Sequence, residues 1–344
     1  QVIVAPSTYR LAGNPYALEH LGPQTLKGIV QPVQAWRVTG PGQADSRLVE
    51  GLTPYIGRER ELSGLDQRLA AVEQGMGQFV LLIGDAGVGK SRLLSEFRAR
   101  VGGRATWVEG RAISFGQSMA FHPLLDMLRK NFAVEDDDDA AAIRDKVSKG
   151  MARVSPDLEA AASMLHYLLG AASDDDAVHQ MDPQIRRAET FDTLRQLLLR
   201  AAERKPQVMV FEDLHWSDTA TNDFLRYILD SVPASRVLIL ATLRTGYPLP
   251  VDERSYVTRY ALQNLTSEES NHIAEAVLTS ADLPPELRAL IHRKAEGNPF
   301  FVEELAKSLG ETGAIRRDGE TWVLGRPIDQ SAVPDTIQGV LMSR

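Results

Sequence analysis

The sequence predicts an α/β fold in which a parallel sheet is covered by helices on both faces and is followed by a smaller helical domain. Between residues 78 and 265, short aliphatic and β-branched runs alternate with helical or polar segments, as in parallel sheets with crossover helices. One run, "VLLIG" at residues 80–84, leads directly into a glycine-rich loop and a helix-forming stretch. Beyond residue 266 the apolar residues recur at helical spacing, which predicts the smaller domain.

The elements of the α/β domain follow from periodicity and from glycine positions. Apolar residues at helical spacing after residue 58 predict a first helix, which ends before Gly75. A strand leads into the glycine-rich loop, and a second helix is predicted at about residues 90–101. Four further strands are predicted within residues 105–110, 207–218, 235–244 and 257–265, with a long, largely helical section between the first two.

Two further predictions concern the ends of the chain. In the helical domain, three short amphipathic helices precede a hairpin whose turn is Asp318-Gly319. We expect residues 1–40 to form a separate piece whose end has strand character, because a Gly- and Ser-containing polar stretch, placed at residues 41–52, is typical of a linker. The α/β domain then occupies residues 53–265 and the helical domain residues 266–344.

Composition limits the classes of protein to which the chain can belong. Its 344 residues, 43% of them hydrophobic, can form two domains or one large one. The absence of cysteine excludes disulfides and thiolate metal sites and suits a reducing cytoplasm, where we expect the protein to act. No apolar run approaches the roughly 18 residues of a transmembrane helix, and the N-terminus has no signal-peptide pattern, so we expect no membrane partner.

The formal net charge of −8 is concentrated in one segment. Residues 131–182 contain twelve Asp and Glu but four Lys and Arg, so this segment carries the whole excess. The runs "EDDDD" and "SDDD" favour solvated loops that flank helices, and a surface for a basic partner is the alternative. No basic stripe with interleaved aromatic residues is present, so we expect no direct nucleic-acid binding by this chain.

The glycine-rich loop has the full pattern of a phosphate-binding loop, because Gly84 is followed after four residues by Gly89, Lys90 and Ser91. Glycine lets the backbone curl until consecutive N–H groups and the positive end of the following helix point at one spot. Lys90 would reach the β- and γ-phosphates, and the Ser91 hydroxyl would bind Mg²⁺. The residues expected at the phosphates are Gly84, Asp85, Ala86, Gly87, Val88, Gly89, Lys90, Ser91 and Arg92. The alternative is a glycine-rich turn that merely precedes a helix.

Acidic residues beside such a loop would complete a site for nucleotide hydrolysis. Residues 208–211 are apolar and lead into Glu212 and Asp213, as in a strand buried on both faces whose acids emerge at its carboxyl end. We assign Glu212 to Mg²⁺, through water, and Asp213 to activation of water or sensing of the nucleotide. The alternative is a strand that merely ends in surface acids.

Five segments, in this order, resemble the signal-transducing (STAND) branch of the AAA-like P-loop ATPases: "YIGRERELSGL", "GDAGVGKSRLL", "VMVFEDLHWSD", "ATLR" and "EGNPFFVEEL". Over about residues 53–344 the chain resembles the ATPase module of large bacterial regulators of the LuxR and MalT types. The resemblance implies that Gly57 and Arg58 cap adenine and ribose, that Pro299 of a Gly-x-Pro segment in a helical lid lies against the base, and that Arg244 senses the γ-phosphate. The simpler interpretations are a surface arginine, a helix-initiating proline and a solvated loop cation.

One departure from the family concerns the acid that is assigned to Mg²⁺. The family often has Asp where this chain has Glu212, and the longer side chain moves the carboxylate outward by about one carbon–carbon bond. Rapid turnover is therefore less expected than binding. The neighbouring His215 is either a pH-sensitive general base or, as is more common for a lone histidine in such a turn, structural.

The first 40 residues resemble a different family. "APSTYRLAG" followed by "LGPQTLKGIVQPVQAWRV" is similar to the C-terminal end of a class III adenylate or guanylate cyclase domain. The resemblance implies that the parent protein begins with a cyclase whose metal-binding aspartates precede residue 1. We also expect the parent to continue beyond residue 344 into a winged-helix domain and further regulatory domains.

These observations predict an ATP-binding switch that requires ATP and Mg²⁺ and hydrolyses ATP slowly, with nucleotide-dependent self-association as a further possibility. A ring-forming ATPase motor and a scaffold that binds ATP without cleaving it are the alternatives. The sequence contains no Asn-Lys-x-Asp guanine motif, which excludes the common GTPase pattern.

Overall fold

The computed structural model describes residues 3–4, 16–24, 33–41, 53–114, 116, 119–173, 176–248, 251–280, 283–311, 315–318 and 321–324. The chain divides into two compact units, Gln1–Pro54 and Tyr55–Arg344. Within the described residues, no helix combines the length and the apolar character that crossing a membrane requires.

The first unit contains three antiparallel strands, β1 (Ile3–Val4), β2 (Tyr16–Gln24) and β3 (Val33–Pro41), with β3 in the middle. An ion pair joins Arg37 to Glu19 across β2 and β3 at 3.2 Å. The strand character that the sequence predicts for this region is confirmed by β3. Its last residue, Pro41, is also the first residue of the predicted linker, and the rest of that linker lies outside the described residues.

The second unit is built on a five-stranded parallel sheet. Its strands are β4 (Gln78–Ile83), β5 (Thr106–Arg111), β6 (Gln207–Glu212), β7 (Val237–Leu243) and β8 (Val257–Ala261). They lie in the order β5-β6-β7-β4-β8, and every neighbouring pair is parallel. The predicted α/β fold class is confirmed.

Ten α-helices accompany the five parallel strands in the described part of the second unit. They are α1 (Glu59–Glu73), α2 (Lys90–Val101), α3 (His122–Asn131), α4 (Ala140–Val154), α5 (Ala162–Leu168), α6 (Pro183–Arg204), α7 (Thr219–Ile228), α8 (Ser267–Leu278), α9 (Pro285–Ala295) and α10 (Pro299–Glu311). The strands β9 (Ile315–Asp318) and β10 (Thr321–Leu324) follow and pair as an antiparallel hairpin. Gly319 of the predicted turn lies outside the described residues.

Side chains of the parallel sheet pack on both faces because successive residues of a strand point in opposite directions. In β4, Phe79 and Leu81 are buried in a core that includes residues of α3–α7, whereas Val80 and Leu82 are buried against α1 and α2. A third apolar core lies among α8, α9 and α10. Because all five strands are parallel, their carboxyl ends meet at one edge, where the loop after β4 and the acids Glu212 and Asp213 at the end of β6 both lie.

Candidate nucleotide-binding site

The loop between β4 and α2 curls at two positions whose backbone conformation is easily adopted only by glycine. Gly87 and Gly89 have φ angles of 80° and 100°, in the left-handed region that L-residues rarely adopt. The N–H of Gly84 donates to the carbonyl of Leu243 at 3.1 Å, which joins the start of the loop to the end of β7. Val88 is buried and anchors the loop in the core, whereas Asp85, Ala86 and Gly87 are exposed and form the crest of the loop.

Lys90 lies inside this curl. Its ammonium Nζ donates to the carbonyl oxygens of Gly84 at 2.7 Å and Asp85 at 2.9 Å. The side chain is buried, and burial lowers its pKa, whereas the negative charge of Asp213 acts in the opposite direction. A positive charge is therefore held at the place where the loop pattern predicts phosphate.

The residues assigned to Mg²⁺ fit that ion by their chemistry. Ser91 presents an exposed hydroxyl in the first turn of α2, and Glu212 ends β6 with a side chain that is 13% exposed. Burial, with the negative charges of Glu109 and Asp213, raises the pKa of Glu212 to about 7, so a cation beside this carboxylate would be favourable. Mg²⁺ commonly takes one or two carboxylates together with substrate phosphates and water. Within the described ranges, no group of three or more His, Cys, Asp or Glu side chains could hold a metal ion. A Mg²⁺ site that is completed by phosphates and water does not need such a group.

Asp213 lies at a sharp turn directly after β6. Its φ of 55° is left-handed, and its N–H donates to the hydroxyl of Thr242 on β7 at 2.8 Å. Its carboxylate Oδ2 lies 3.3 Å from Nη2 of Arg111, the last residue of β5. The side chain that the sequence assigns to water activation is therefore ion-paired with a neighbouring strand end.

Sequence reasoning missed both Arg111 and Thr242. Each belongs to a strand that adjoins β6, and each lies at the carboxyl end of that strand. The available signal was the position of these residues at the ends of predicted strands, because the last residues of all strands in a parallel sheet lie at the same edge. Strand neighbours, however, were not evident from the sequence.

Arg244 and His215 lie near the acidic turn. The Arg244 guanidinium carbon is 5.6 Å from the centre of the Trp216 ring, within cation–π range, although the side chain is exposed. The His215 side chain is buried, and neither ring nitrogen has a hydrogen-bond partner among the described residues. Burial lowers its pKa, which keeps the imidazole neutral at pH 7. These features favour a structural role for His215 over that of a general base.

Arg58 connects the phosphate-binding loop with the start of the helical region. Its guanidinium donates to the carbonyl of Gln263 and, at 3.4 Å, to that of Val88, and its side chain is 11% exposed. Preceding it, Gly57 has a φ of 70°, and a Cβ there would lie 2.6 Å from a carboxylate oxygen of Glu269. Arg58 is thus a linking residue rather than the solvated surface arginine of the simpler interpretation.

The helical region contacts the loop at its crest. The Asn298 side-chain amide donates to the carbonyl of Ala86 at 2.9 Å, and the N–H of Phe300 donates to that of Gly87 at 3.3 Å. Pro299 is the first residue of α10, where proline suits helix initiation. Arg58 thus contacts the loop directly, Pro299 lies between two residues that contact it, and Gly57 lies against Glu269. Glu212 ends β6, whereas Lys90, Asp213 and Arg244 follow the strands β4, β6 and β7.

Comparison with known families identifies the α/β region. The family described as "AAA ATPase domain" matches residues 54–240, more than half of the chain. The chain belongs to the AAA ATPase domain family. Residues 266–320 match a second family, described as a domain of unknown function, DUF8739. Membership in the AAA ATPase domain family implies nucleotide binding, which agrees with the loop geometry, and proteins of this family typically bind ATP and Mg²⁺.

A relative outside the solved structures is much longer than this chain. An uncharacterized protein of Rhizobium meliloti (strain 1021) is 31% identical over 317 residues, which span 89% of this chain and 30% of the relative. This AAA ATPase chain therefore corresponds to less than a third of that protein.

Several solved structures are similar to this AAA ATPase chain at low sequence identity. A STAND protein with a tetratricopeptide repeat sensor from Pyrococcus horikoshii is 17% identical, covering 74% of this chain and 31% of that one, with a TM-score of 0.38. A Walker-type ATPase of Pyrococcus abyssi is 15% identical, with coverages of 75% and 69% and a TM-score of 0.38. Cdc6p from Pyrobaculum aerophilum is 12% identical, with coverages of 76% and 65% and a TM-score of 0.40.

Proposed function

We propose that this AAA ATPase domain is a nucleotide-dependent switch that binds ATP with Mg²⁺ and hydrolyses it slowly, with α8–α10 acting as a lid. One observation carries the proposal: Asn298 and Phe300 of the lid donate hydrogen bonds to Ala86 and Gly87 at the crest of the phosphate-binding loop. Any movement of the loop between nucleotide states changes these contacts. These contacts with the phosphate-binding loop support a connection between the lid and the nucleotide, as a switch requires.

Binding in this proposal relies on the curled loop and Lys90. The loop N–H groups and the amino end of α2 offer partial positive charge to the phosphates, and Lys90 exchanges its contacts with Gly84 and Asp85 for phosphate oxygens. Ser91 and, through water, Glu212 would hold the Mg²⁺, which would supply positive charge to the phosphate oxygens. Arg58 and Pro299 flank the loop on the side proposed for adenine and ribose.

Hydrolysis in this proposal is slow for two reasons. In the protein without Mg²⁺ the pKa of Glu212 is about 7, so binding of Mg²⁺ at neutral pH must displace a proton from part of the Glu212 carboxyl groups. Asp213 must leave its ion pair with Arg111 before its carboxylate accepts a proton from the attacking water. Arg244 would stabilise the γ-phosphate, and its guanidinium must first leave the Trp216 ring.

The elevated pKa of Glu212 also favours a second candidate, a scaffold that binds ATP without cleaving it. Single-turnover hydrolysis at pH 6 and pH 8 separates the two. Hydrolysis above background that increases with pH supports the switch, whereas a bound nucleotide that remains ATP at both pH values supports the scaffold.

The role of the lid is tested by Asn298→Ala, because this substitution removes the amide that donates to Ala86. The substitution removes two hydrogen bonds, the one from Asn298 to Ala86 and the one from the N–H of Phe301 to Asn298 Oδ1, and should accelerate release of a fluorescent ADP analogue about tenfold, which is about 1.4 kcal/mol. Asn271→Ala, in α8, is the matched control, because no hydrogen bond joins Asn271 to the described residues of the loop. Equal release rates from both variants and the wild type would exclude the proposed connection.

We further propose that the chain is part of a larger signalling regulator and that residues 1–40 end a class III cyclase domain. The motifs "YRLAG" and "LKG" support the second statement, and the length of the Rhizobium meliloti relative is compatible with the first. The test is to express the natural protein that contains this chain and to measure cyclic nucleotide formation. A protein whose residues before Gln1 lack paired metal-binding aspartates and that forms no cyclic nucleotide would refute the cyclase assignment.

A further inference from the structure

A cavity of about 390 Å³ lies in the apolar layer between the sheet and helices α3, α4 and α6. Its walls are mostly aliphatic and aromatic and include Leu124, Met127, Phe132, Leu194, Leu198 and Met209. Small-molecule sites typically measure roughly 300–1,000 Å³ and are predominantly apolar with a few placed polar groups. By size and by lining, this cavity therefore falls within the range of ligand sites.

The cavity is separate from the nucleotide-binding site. It is lined by Thr106 and Gln207, the first residues of β5 and β6, whereas the last residues of these strands, Arg111 and Glu212, lie at the nucleotide edge. Five residue steps along a strand correspond to about 16 Å. The two sites thus lie at opposite ends of the same pair of strands.

Three cations are exposed where the cavity meets the surface, namely Arg153, Arg204 and Lys205. Nε of Arg153 donates to the carbonyl of Lys149 at 3.2 Å, and Nη1 of Arg204 donates to that of Val154 at 3.3 Å. None of the three has an ion pair within the part of the chain that the structure describes, and no lining residue is Asp or Glu.

Two acids that are close in sequence to these cations pair with another arginine. Asp157 and Glu203 both pair with Arg200, at 3.4 Å and 3.2 Å, and Arg200 does not line the cavity. An apolar interior with an unneutralised cationic mouth is complementary to a molecule that has an apolar body and one anionic end. Guanidinium groups suit a carboxylate in particular, because their donors match its two oxygens.

We propose that this cavity is a binding site for an aliphatic monocarboxylate, whose chain occupies the space between α3, α4 and α6 and whose carboxylate contacts Arg204 and its cationic neighbours. Binding replaces water at the apolar walls and supplies the negative charge that the mouth lacks. The ligand would contact the beginnings of β5 and β6, the strands that carry Arg111, Glu212 and Asp213 towards the nucleotide.

The first test is calorimetric titration of the 344-residue chain with decanoate, 1-decanol and decyltrimethylammonium, each below its micelle concentration. Decanoate should bind, the neutral alcohol should bind about tenfold more weakly, and the cation should not bind. Decanoate that does not bind, or binds no better than the alcohol, would overturn the proposal.

Variants then locate the site. Arg204→Gln should weaken decanoate binding about tenfold, whereas Arg200→Gln, on the same helix but outside the cavity, should leave it unchanged. Because both side chains are exposed, circular dichroism should show both variants folded. Ala201→Leu, which adds bulk at the cavity wall, should weaken decanoate and decanol equally. Equal effects of the two arginine substitutions would place binding elsewhere and refute the assignment.

Discussion

The phosphate-binding loop and the acidic turn lie at the same edge of the sheet, but their polar contacts come from different distances along the chain. Within the loop, Lys90 bonds to Gly84 and Asp85, six and five residues earlier. At the acidic turn, Asp213 bonds to Arg111, 102 residues earlier, and to Thr242, 29 residues later. A contiguous motif thus specifies much of its own geometry, whereas the charge state and the freedom of the acids depend on which strands adjoin β6.

The largest expected effect lies in the loop. Lys90→Ala removes the buried ammonium but leaves the loop backbone intact, so ATP binding in the presence of Mg²⁺ should fall below detection by calorimetry. Arg100→Ala is the matched control, since Arg100 lies in the last turn of α2 and pairs with Asp66 at 2.9 Å. Unchanged affinity of the Lys90 variant would contradict the assignment of the loop.

At the acidic turn, Asp213→Asn should separate binding from hydrolysis. The amide cannot accept a proton, so turnover should fall by about two to four orders of magnitude while ATP affinity changes little. Measuring both quantities on one preparation is decisive. A variant that hydrolyses ATP at the wild-type rate would remove Asp213 from the reaction.

The pKa of Glu212 allows the acidic turn to be tested by changing the pH. Because Mg²⁺ must displace the proton of Glu212, whose pKa is about 7 in the protein without Mg²⁺, the Mg²⁺ concentration that gives half-maximal hydrolysis should fall about tenfold between pH 6 and pH 8. Since the folded-state pKa lies above the ordinary glutamate value of 4.5, the contribution of Glu212 to the free energy of unfolding should decrease as the pH rises from 4.5 to about 7. Glu212→Gln should abolish both dependences, and a variant with the wild-type pH profile would show that another group titrates.

The smallest expected effect concerns the contact between loop and lid. Gly87→Ala introduces a left-handed alanine and places its Cβ 2.7 Å from Oδ1 of Asn298, whereas Gly75→Ala has similar strain at a φ of 85° with no atom within 4 Å. Both should reduce stability by about 1–2 kcal/mol. Gly87→Ala alone should also weaken ATP binding, by several-fold. Equal ATP affinities in the two variants would mean that the lid contact does not bear on the nucleotide.

Much of the fold could be predicted because its signals are local. The glycine before the loop helix and the apolar spacing after it predict a helix at about residues 90–101, and α2 spans Lys90–Val101. The alternation of apolar runs with helical segments likewise predicts the parallel sheet. The order β5-β6-β7-β4-β8 could not be predicted in this way, because pairing depends on the packing of segments far apart in sequence.

By itself, the sequence determined the class of the fold, the position of the phosphate-binding loop and the candidate acids, since each depends on residues that are adjacent or a few positions apart. Only the tertiary structure decided that Arg111 restrains Asp213, that burial raises the pKa of Glu212, that Asn298 contacts the loop, and that a cavity with a cationic mouth lies beneath α4 and α6. The physical reason is that burial, charge pairing and cavity shape are properties of surfaces brought together by folding.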